Sequence, residues 1–233
     1  MTKVFIASAL FTLGCFSFAF AHNNPPDLNT LLKRAEAGDA KAEYELYYYD
    51  EFNIDHAEDW LQKSADQGYP DAERALGTIY DTNNNFQEAE KWLLKAAQQG
   101  DGRSQYYLGD LFYGRGRNVL GDGYDKSGKP LPRIAIDNAK AIKWLLKSAD
   151  SGFALAWGKL GEYYEQGKGV KQNYVEAYKW YSLALGSSDQ KMVNYFTKGK
   201  TSIEKRLSLA QLAEARKRAD EWLTDFHQNH PIK

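Results

Sequence analysis

The sequence is short of the residues that would let a fold be held by anything other than packing. Of its 233 residues one is cysteine, two are methionine and four are histidine. The single thiol, Cys15, lies in an apolar leader, so a chain cut after Ala21 has no disulfide to form, even in an oxidising compartment. His22 and His56 stand alone, and His227 and His230 form an isolated H-x-x-H near the end of the chain. Such a pair supplies two ligands where a closed site needs about four, so no metal is assigned. Asp122 and Asp125 lack the alternating oxygen pattern of a calcium loop. Gly114-x-Gly116 and Gly167-x-Gly169 neither follow a strand nor end in Lys-Ser/Thr, which excludes a phosphate cradle and leaves no cofactor implied. Ser188-x-x-Lys191 and Ser202-x-x-Lys205 have no Ser-Asp-Asn or Lys-Thr-Gly companion, so no catalytic residue is assigned and the chain is read as a non-enzyme.

What is present begins with the leader. Lys3 supplies a positive start, Val4 to Phe20 is uncharged and apolar, and Ala19-Phe20-Ala21 is a small-x-small cleavage site. Residues 1–21 are expected to be a signal peptide cut after Ala21, placing the mature chain in the periplasm or otherwise outside the cytoplasm. Two rivals are a lipoprotein acceptor at Leu13-Gly14-Cys15, where Thr12 replaces the large aliphatic residue wanted, and an uncleaved anchor helix, for which the apolar run is barely long enough. No later segment is apolar enough to span a bilayer, so no stable membrane insertion is expected after cleavage. The aromatic share is high at 14%, with 16 Tyr and 6 Trp, and those side chains must fill the core that sulfur cannot.

Five of the tryptophans fall into one register: Ala57-x-x-Trp60, Ala89-x-x-Trp92, Ala141-x-x-Trp144, Ala177-x-x-Trp180 and Ala219-x-x-Trp222. On a helix this puts a small and a large residue on one face, so that a neighbouring helix approaches over Ala while Trp fills the gap. The segments after Trp60, Trp92 and Trp144 also match and close on Gly68, Gly100 and Gly152, residues suited to the left-handed turn that stops a helix. Past these glycines, and past Gly38, a small residue opens the next helix with Leu one turn on: Ala42/Leu46, Ala72/Leu76, Ser104/Leu108 and Ala156/Leu160. Gly77, Gly109 and Gly161 follow three of those leucines, mid-helix, where each costs about 1 kcal/mol against Ala, which implies close helix packing. The unit is helix A, short loop, helix B, Gly turn, with Trp-to-Trp periods of 32, 52, 36 and 42 residues. Units of this size bury their apolar faces only by stacking, which predicts a right-handed superhelix with one concave wall of A helices.

This pattern resembles the Sel-one-like repeat (SLR), a tetratricopeptide-related repeat. Its fullest copy is Ala156-Trp-Gly-Lys-Leu160-Gly161-Glu-Tyr-Tyr164-Glu-Gln-Gly167-Lys-Gly169-Val170, continuing through Asn173-Tyr174 to Ala177-Tyr-Lys-Trp180-Tyr181. The resemblance covers roughly Leu31 to Leu223, although the first unit has Tyr47 where the family has Gly, and the loops of the first two units, Asp50 to Ile54 and Asp81 to Asn85, are clipped. It implies an all-α fold, an α/α superhelical solenoid of four to five two-helix SLR (TPR-like) repeats over 31–223. Around that solenoid we expect a flexible segment over 22–30, an insertion loop over 114–137, a capping helix over about 201–223 and a frayed tail over 224–233. The insertion, rich in Gly and Pro, is read as a small hairpin around Asp125-Lys-Ser-Gly128, with a functional loop and a tolerated surface insertion both open.

Charge is uneven: residues 22–113 carry 18 acidic and 8 basic side chains, whereas 114–233 carry 13 and 21. A field of this kind orients a protein partner, while Arg216-Lys217-Arg218 is too short a run to imply nucleic acid. If tetratricopeptide geometry holds, A-helix positions two before, two after and five after the recurring Leu line the concave wall. These are Tyr44, Tyr48 and Glu51; Arg74, Thr78 and Asp81; Tyr106, Asp110 and Tyr113; and Gly158, Glu162 and Glu165. Tyr and Arg are favoured interface anchors, although each Tyr could equally fill space between helices. The expected activity is binding of a protein partner by a monomer. The resemblance adds two narrower readings: an immunity protein that neutralises a secreted antibacterial effector such as a phospholipase, and, on family analogy alone, a hydrolase acting on the cell wall or β-lactams.

Overall fold

The structure is a computed structural model that describes residues 27–48, 57–113, 137–187 and 189–230. The expected signal peptide and the hairpin of the insertion lie outside the described residues. The eleven helices among those described are α1 (Leu28–Glu36), α2 (Ala40–Tyr48), α3 (Ala57–Asp66), α4 (Pro70–Thr82), α5 (Phe86–Gln98), α6 (Gly102–Tyr113), α7 (Asn138–Asp150), α8 (Ala154–Gln166), α9 (Tyr174–Ala184), α10 (Gln190–Glu204) and α11 (Leu209–Asn229). α2, α4, α6 and α8 are A helices and each packs on the B helix that follows it, most closely in α4–α5, α6–α7 and α8–α9; each B helix then touches the next A helix. The result is an α/α solenoid in which α1, the first helix among the described residues, packs on α2.

Each B-to-A turn is built the same way. Gly38, Gly68, Gly100 and Gly152 have φ of 86°, 81°, 92° and 79°, and the N–H of the following residue donates to a carbonyl five residues back, as in Tyr69 to Ser64 at 3.2 Å and Phe153 to Ser148 at 3.2 Å. This is the Schellman ending that satisfies the last helical carbonyls. α5, α7 and α9 start on side-chain caps: Asn85 accepts from the Glu88 N–H, Asp137 from Lys140 and Asn173 from Glu176.

Inside each pair the mid-helix glycines let the backbones meet. A Cβ added at Gly77 would stand 2.6 Å from Leu93 Cγ, at Gly109 2.7 Å from Leu145 Cγ and at Gly161 2.7 Å from the Tyr181 ring. Close approach therefore outweighs the helix-propensity cost at these positions. The tryptophans are less uniform than their spacing predicts. Trp92 and Trp180 are buried, but Trp60 and Trp144 are only half-buried, and their outer faces are covered by Lys63 at 4.0 Å and Lys147 at 4.6 Å. The residue after each of these four Trp is the core member: Leu61, Leu93, Leu145 and Tyr181 are buried throughout. Buried Trp92 carries the same i,i+3 lysine, Lys95 at 3.9 Å, so the cation–π contact accompanies the ring without setting its burial.

Buried polar groups tie helices together within and between units. Ser64 Oγ donates to the Ala40 carbonyl at 2.5 Å and Ser148 Oγ to the Gly102 carbonyl at 2.6 Å, so each B helix is fastened to the first turn of its A helix. Glu43 and Glu73, both buried, accept from Gln67 at 2.6 Å and Gln99 at 2.8 Å. Burial pushes both carboxyls above their usual range. At the matching position of the next units, Gln105 and Trp157 instead donate to the Ala97 and Ala149 carbonyls, at 3.1 and 3.0 Å.

The C-terminal end corrects two expectations. The single capping helix over about 201–223 is two helices, α10 and α11, broken where Ser208 starts α11 with a capping box to Gln211. The tail is not frayed from 224, because α11 continues to Asn229. Phe226 stacks on Trp222 at 5.1 Å, meets Trp157 edge-on at 6.0 Å and covers Gly152. That aromatic contact supplies the packing that fixes the last turns. α11 lies on α9 rather than pairing with α10, so the fifth A-x-x-W step does not close a regular two-helix repeat.

Candidate protein-binding surface

The A-helix residues named above fall on one strip, and a simple rule links them. The side chain two before the recurring Leu meets the residue immediately after the turn glycine of the next unit. Tyr44 packs against Tyr69 at 5.4 Å, Arg74 pairs with Asp101 at 3.1 Å, and Tyr106 meets Phe153 at 5.3 Å. Tyr69, Asp101 and Phe153 were not selected by the A-helix spacing, yet their place after Gly68, Gly100 and Gly152 marks them in the sequence.

At the N-terminal end Tyr44 and Tyr48 lie one turn apart, rings 5.1 Å apart and edge to face, with the Tyr44 hydroxyl donating to that of Tyr48 at 3.3 Å. Burial and the neighbouring phenol raise the Tyr44 pKa, which keeps it neutral. Tyr48 is 57% exposed, the largest accessible ring on the strip after the fold has taken what it needs. Arg74 sits between Asp71 and Asp101 with its side chain only 12% exposed. Burial works against its charge, but Asp101 and Asp71 outweigh it and hold the guanidinium protonated. Two carboxylates around one cation leave this part of the strip negative. Thr78 turns its hydroxyl to the Ala75 carbonyl of its own helix, 2.8 Å away.

Further along, Lys159 of α8 bridges Asp110 at 3.8 Å and Glu162 at 3.2 Å, while Tyr113 packs on Tyr163 at 4.8 Å and receives Lys168 at its hydroxyl. Glu162 also accepts from the Tyr195 hydroxyl of α10 at 2.9 Å, and Glu165 from the Tyr181 hydroxyl of α9 at 2.8 Å. Gly158 lies under the ring of Phe196. The structure thus brings Tyr44, Tyr48, Arg74, Tyr106, Asp110, Tyr113, Glu162 and Glu165 onto one face, but Glu162 is engaged by α10 and Glu165 by α9. Glu51 lies outside the described residues. Among those described, no helix is long and apolar enough to cross a membrane.

Comparison with known proteins accords with this architecture. The Sel1 repeat model matches residues 45–69, 70–101, 102–129, 118–153 and 158–185. A chitin synthase regulator of Saccharomyces cerevisiae is 28% identical over 205 residues, covering 80% of this chain, while this chain spans 28% of that protein. Among solved structures, a protective antigen of uropathogenic Escherichia coli with an SLR fold superposes with a TM-score of 0.70 at 27% identity, over 88% of this chain and 44% of the antigen. A Sel1 repeat protein from Oxalobacter formigenes superposes at 0.62 with 22% identity, over 83% and 78% of the two chains, and shares the fold. Sel1 repeats mediate protein–protein interaction and their proteins are typically scaffolds rather than catalysts. The matched repeats cover more than half of the sequence, and the chain belongs to the Sel1 repeat family.

Proposed function

We propose that this chain is an exported, non-enzymatic protein-binding module whose concave A-helix wall is its contact surface, with Tyr44, Tyr48, Tyr106, Asp110 and Tyr113 as principal contacts. The observation that carries this reading is the strip itself. It crosses every A helix, has its charges paired at Arg74 and Lys159, and leaves Tyr48 more than half exposed at one end. Rigid, half-buried tyrosines contribute large contact area at low entropic cost, which is what interface anchors require. Export rests on Lys3, the apolar run and Ala19-Phe20-Ala21. That a relative is named as the regulator of a synthase, a role exercised on another protein, supports binding rather than turnover.

The test is capture of the native partner from the envelope fraction by mature wild-type chain and by the triple variant Tyr44→Ala, Tyr48→Ala, Tyr106→Ala. Arg74 stays intact because its ion pair with Asp101 fastens α4 to the turn before α6. Capture is expected to be lost while the helical circular dichroism signal persists; undiminished capture by the folded variant refutes the surface. Mass spectrometry of the exported chain should find His22 at the amino terminus.

A further inference from the structure

The wall does not end at α8. The exposed large apolar side chains among the described residues are Tyr48, Tyr195, Leu209 and Leu223, and the two leucines belong to α11, which packs on α9 and not on an A helix. Tyr195, 56% exposed, continues the wall, because its hydroxyl donates at 2.9 Å to Glu162, the α8 residue two after the recurring Leu. Its neighbour Phe196 is buried over Gly158, where an added Cβ would lie 2.0 Å from the ring, so α10 is seated firmly on α8 with Tyr195 beside the seat. Tyr195 is held as Tyr48 is. Each ring stands edge-on to an aromatic neighbour of its own helix, Tyr48 to Tyr44 at 5.1 Å and Tyr195 to Phe196 at 5.5 Å, and each hydroxyl is hydrogen-bonded, one to Tyr44 and the other to Glu162. A ring fixed in this way yet more than half exposed loses little freedom on contact with a partner.

Between these two rings the strip alternates. Arg74 of α4 lies between Asp71 and Asp101, half-buried Tyr106 follows on α6, and Lys159 of α8 lies between Asp110 and Glu162. In both charged groups two carboxylates share one cation, leaving one excess negative charge, and in the first the outermost member is Asp71, 43% exposed against 12% for Arg74. α10 reverses the sign, because exposed Lys191 and Lys198 lie one turn to either side of Tyr195. The ground between the rings is charged, so the apolar face of an amphipathic helix finds no bed there, whereas an extended chain can set a different side chain on each step. Packed helices lie about 10 Å apart, which is about three residues of extended chain, so the four steps from α2 to α10 amount to about 40 Å or about twelve residues.

We infer that the wall from Tyr48 to Tyr195 receives an extended segment of a partner protein. The segment sets Lys or Arg against the two carboxylate pairs and apolar residues on Tyr48, Tyr106 and Tyr195, and it carries an acidic residue at the α10 end, where Lys191 and Lys198 stand. The change of sign along the strip fixes which end of the segment lies on α10. Tyr195 becomes a binding residue that the A-helix spacing does not select. This rests on the protein-binding reading above and names the chemistry of the partner.

The probe is a phage-displayed library of random twelve-residue peptides selected on the full mature chain, with the binders then synthesised, labelled with fluorescein and titrated by fluorescence anisotropy. Selected sequences are expected to carry at least two Lys or Arg, with acidic residues confined to one end. Tyr195→Ala should weaken their binding about tenfold and Asp71→Asn about threefold, while Lys91→Ala on the B-helix surface leaves it unchanged. Both Tyr195 and Asp71 are exposed, so the variants keep the fold, which circular dichroism checks. A selection that yields no binders, binders without basic residues, or affinities that Tyr195→Ala does not change overturns the inference. Capture of the native partner separates this failure from that of the wall itself. Capture that survives Tyr195→Ala but is lost in the Tyr44, Tyr48 and Tyr106 triple variant refutes only the extended segment reaching α10, whereas capture that survives both refutes the wall as well.

Discussion

Gly109→Ala sets two known effects against each other, and the structure decides the sign. Alanine gains about 1 kcal/mol of helix propensity over glycine in α6. The added methyl would lie 2.7 Å from Leu145 Cγ, 2.9 Å from its Cδ2 and 3.2 Å from the Ala141 carbonyl oxygen. Leu145 is fully buried, its Cγ rather than the end of its side chain is the nearest atom, and the carbonyl belongs to the α7 backbone, so relief requires α6 and α7 to separate. Overpacking of this kind costs about 1–3 kcal/mol, leaving a net loss of up to about 2 kcal/mol. Leu145→Ala alone should cost about 2–5 kcal/mol. In the double variant the new methyl grows into the space Leu145 vacates, so the two losses should fall short of their sum by about 1 kcal/mol or more. Urea unfolding followed by tryptophan fluorescence and far-ultraviolet circular dichroism measures all three. A stabilised Gly109→Ala, or strict additivity in the double variant, would mean that helix approach is not what keeps glycine there.

Three further outcomes follow from the packing. The buried Glu73 carboxyl has its pKa raised, chiefly by desolvation and against the Gln99 hydrogen bond, so the folded state favours the proton. Its stabilising contribution is complete below the ordinary glutamate pKa and is lost as pH rises through the higher folded value. Melting temperatures across that window should show Glu73→Gln more stable than wild type at neutral pH, with the gap closing in acid; a pH-independent difference contradicts the assignment. Ser148→Ala removes the hydroxyl that satisfies the Gly102 carbonyl and should cost about 1 kcal/mol in urea unfolding, where no change would mean the bond is redundant. Ending the chain at Asp225 removes Phe226 from Trp222, Trp157 and Gly152 and should cost about 1–2 kcal/mol. An unchanged melting temperature would restore the frayed-tail reading.

The repeat was legible because its punctuation is made of residues with few alternatives. Only glycine combines a positive φ at Gly68 and Gly152 with a tolerable helix stop, and only glycine fits beneath Leu93 and Leu145. Side-chain roles within the repeat were less legible. The A-x-x-W spacing places Trp on the packing face, yet Trp60 and Trp144 are only half-buried where Trp92 and Trp180 are buried, and a 3.6-residue period does not report that difference. The A-helix positions gave one side of the binding strip; its other side, Tyr69, Asp101 and Phe153, depends on how one unit leans on the next. The end of the solenoid was misread for a similar reason. Leu207 to Leu223 has a continuous helical pattern, and the tail lacks one, yet Phe226 is fixed by the rings of Trp157, Trp222, His227 and His230.

The central claim is that the A-helix wall, rather than the outer B-helix surface, touches a protein. Site-specific photocrosslinking in cells exporting the full chain addresses it directly, with a benzophenone amino acid placed at Tyr48, at Tyr106 or at the exposed Lys91 of α5. Binding through the A-helix wall yields one protein adduct shared by Tyr48 and Tyr106 and none from Lys91; an adduct from Lys91 with none from Tyr48 and Tyr106 would place the contact on the B-helix surface instead.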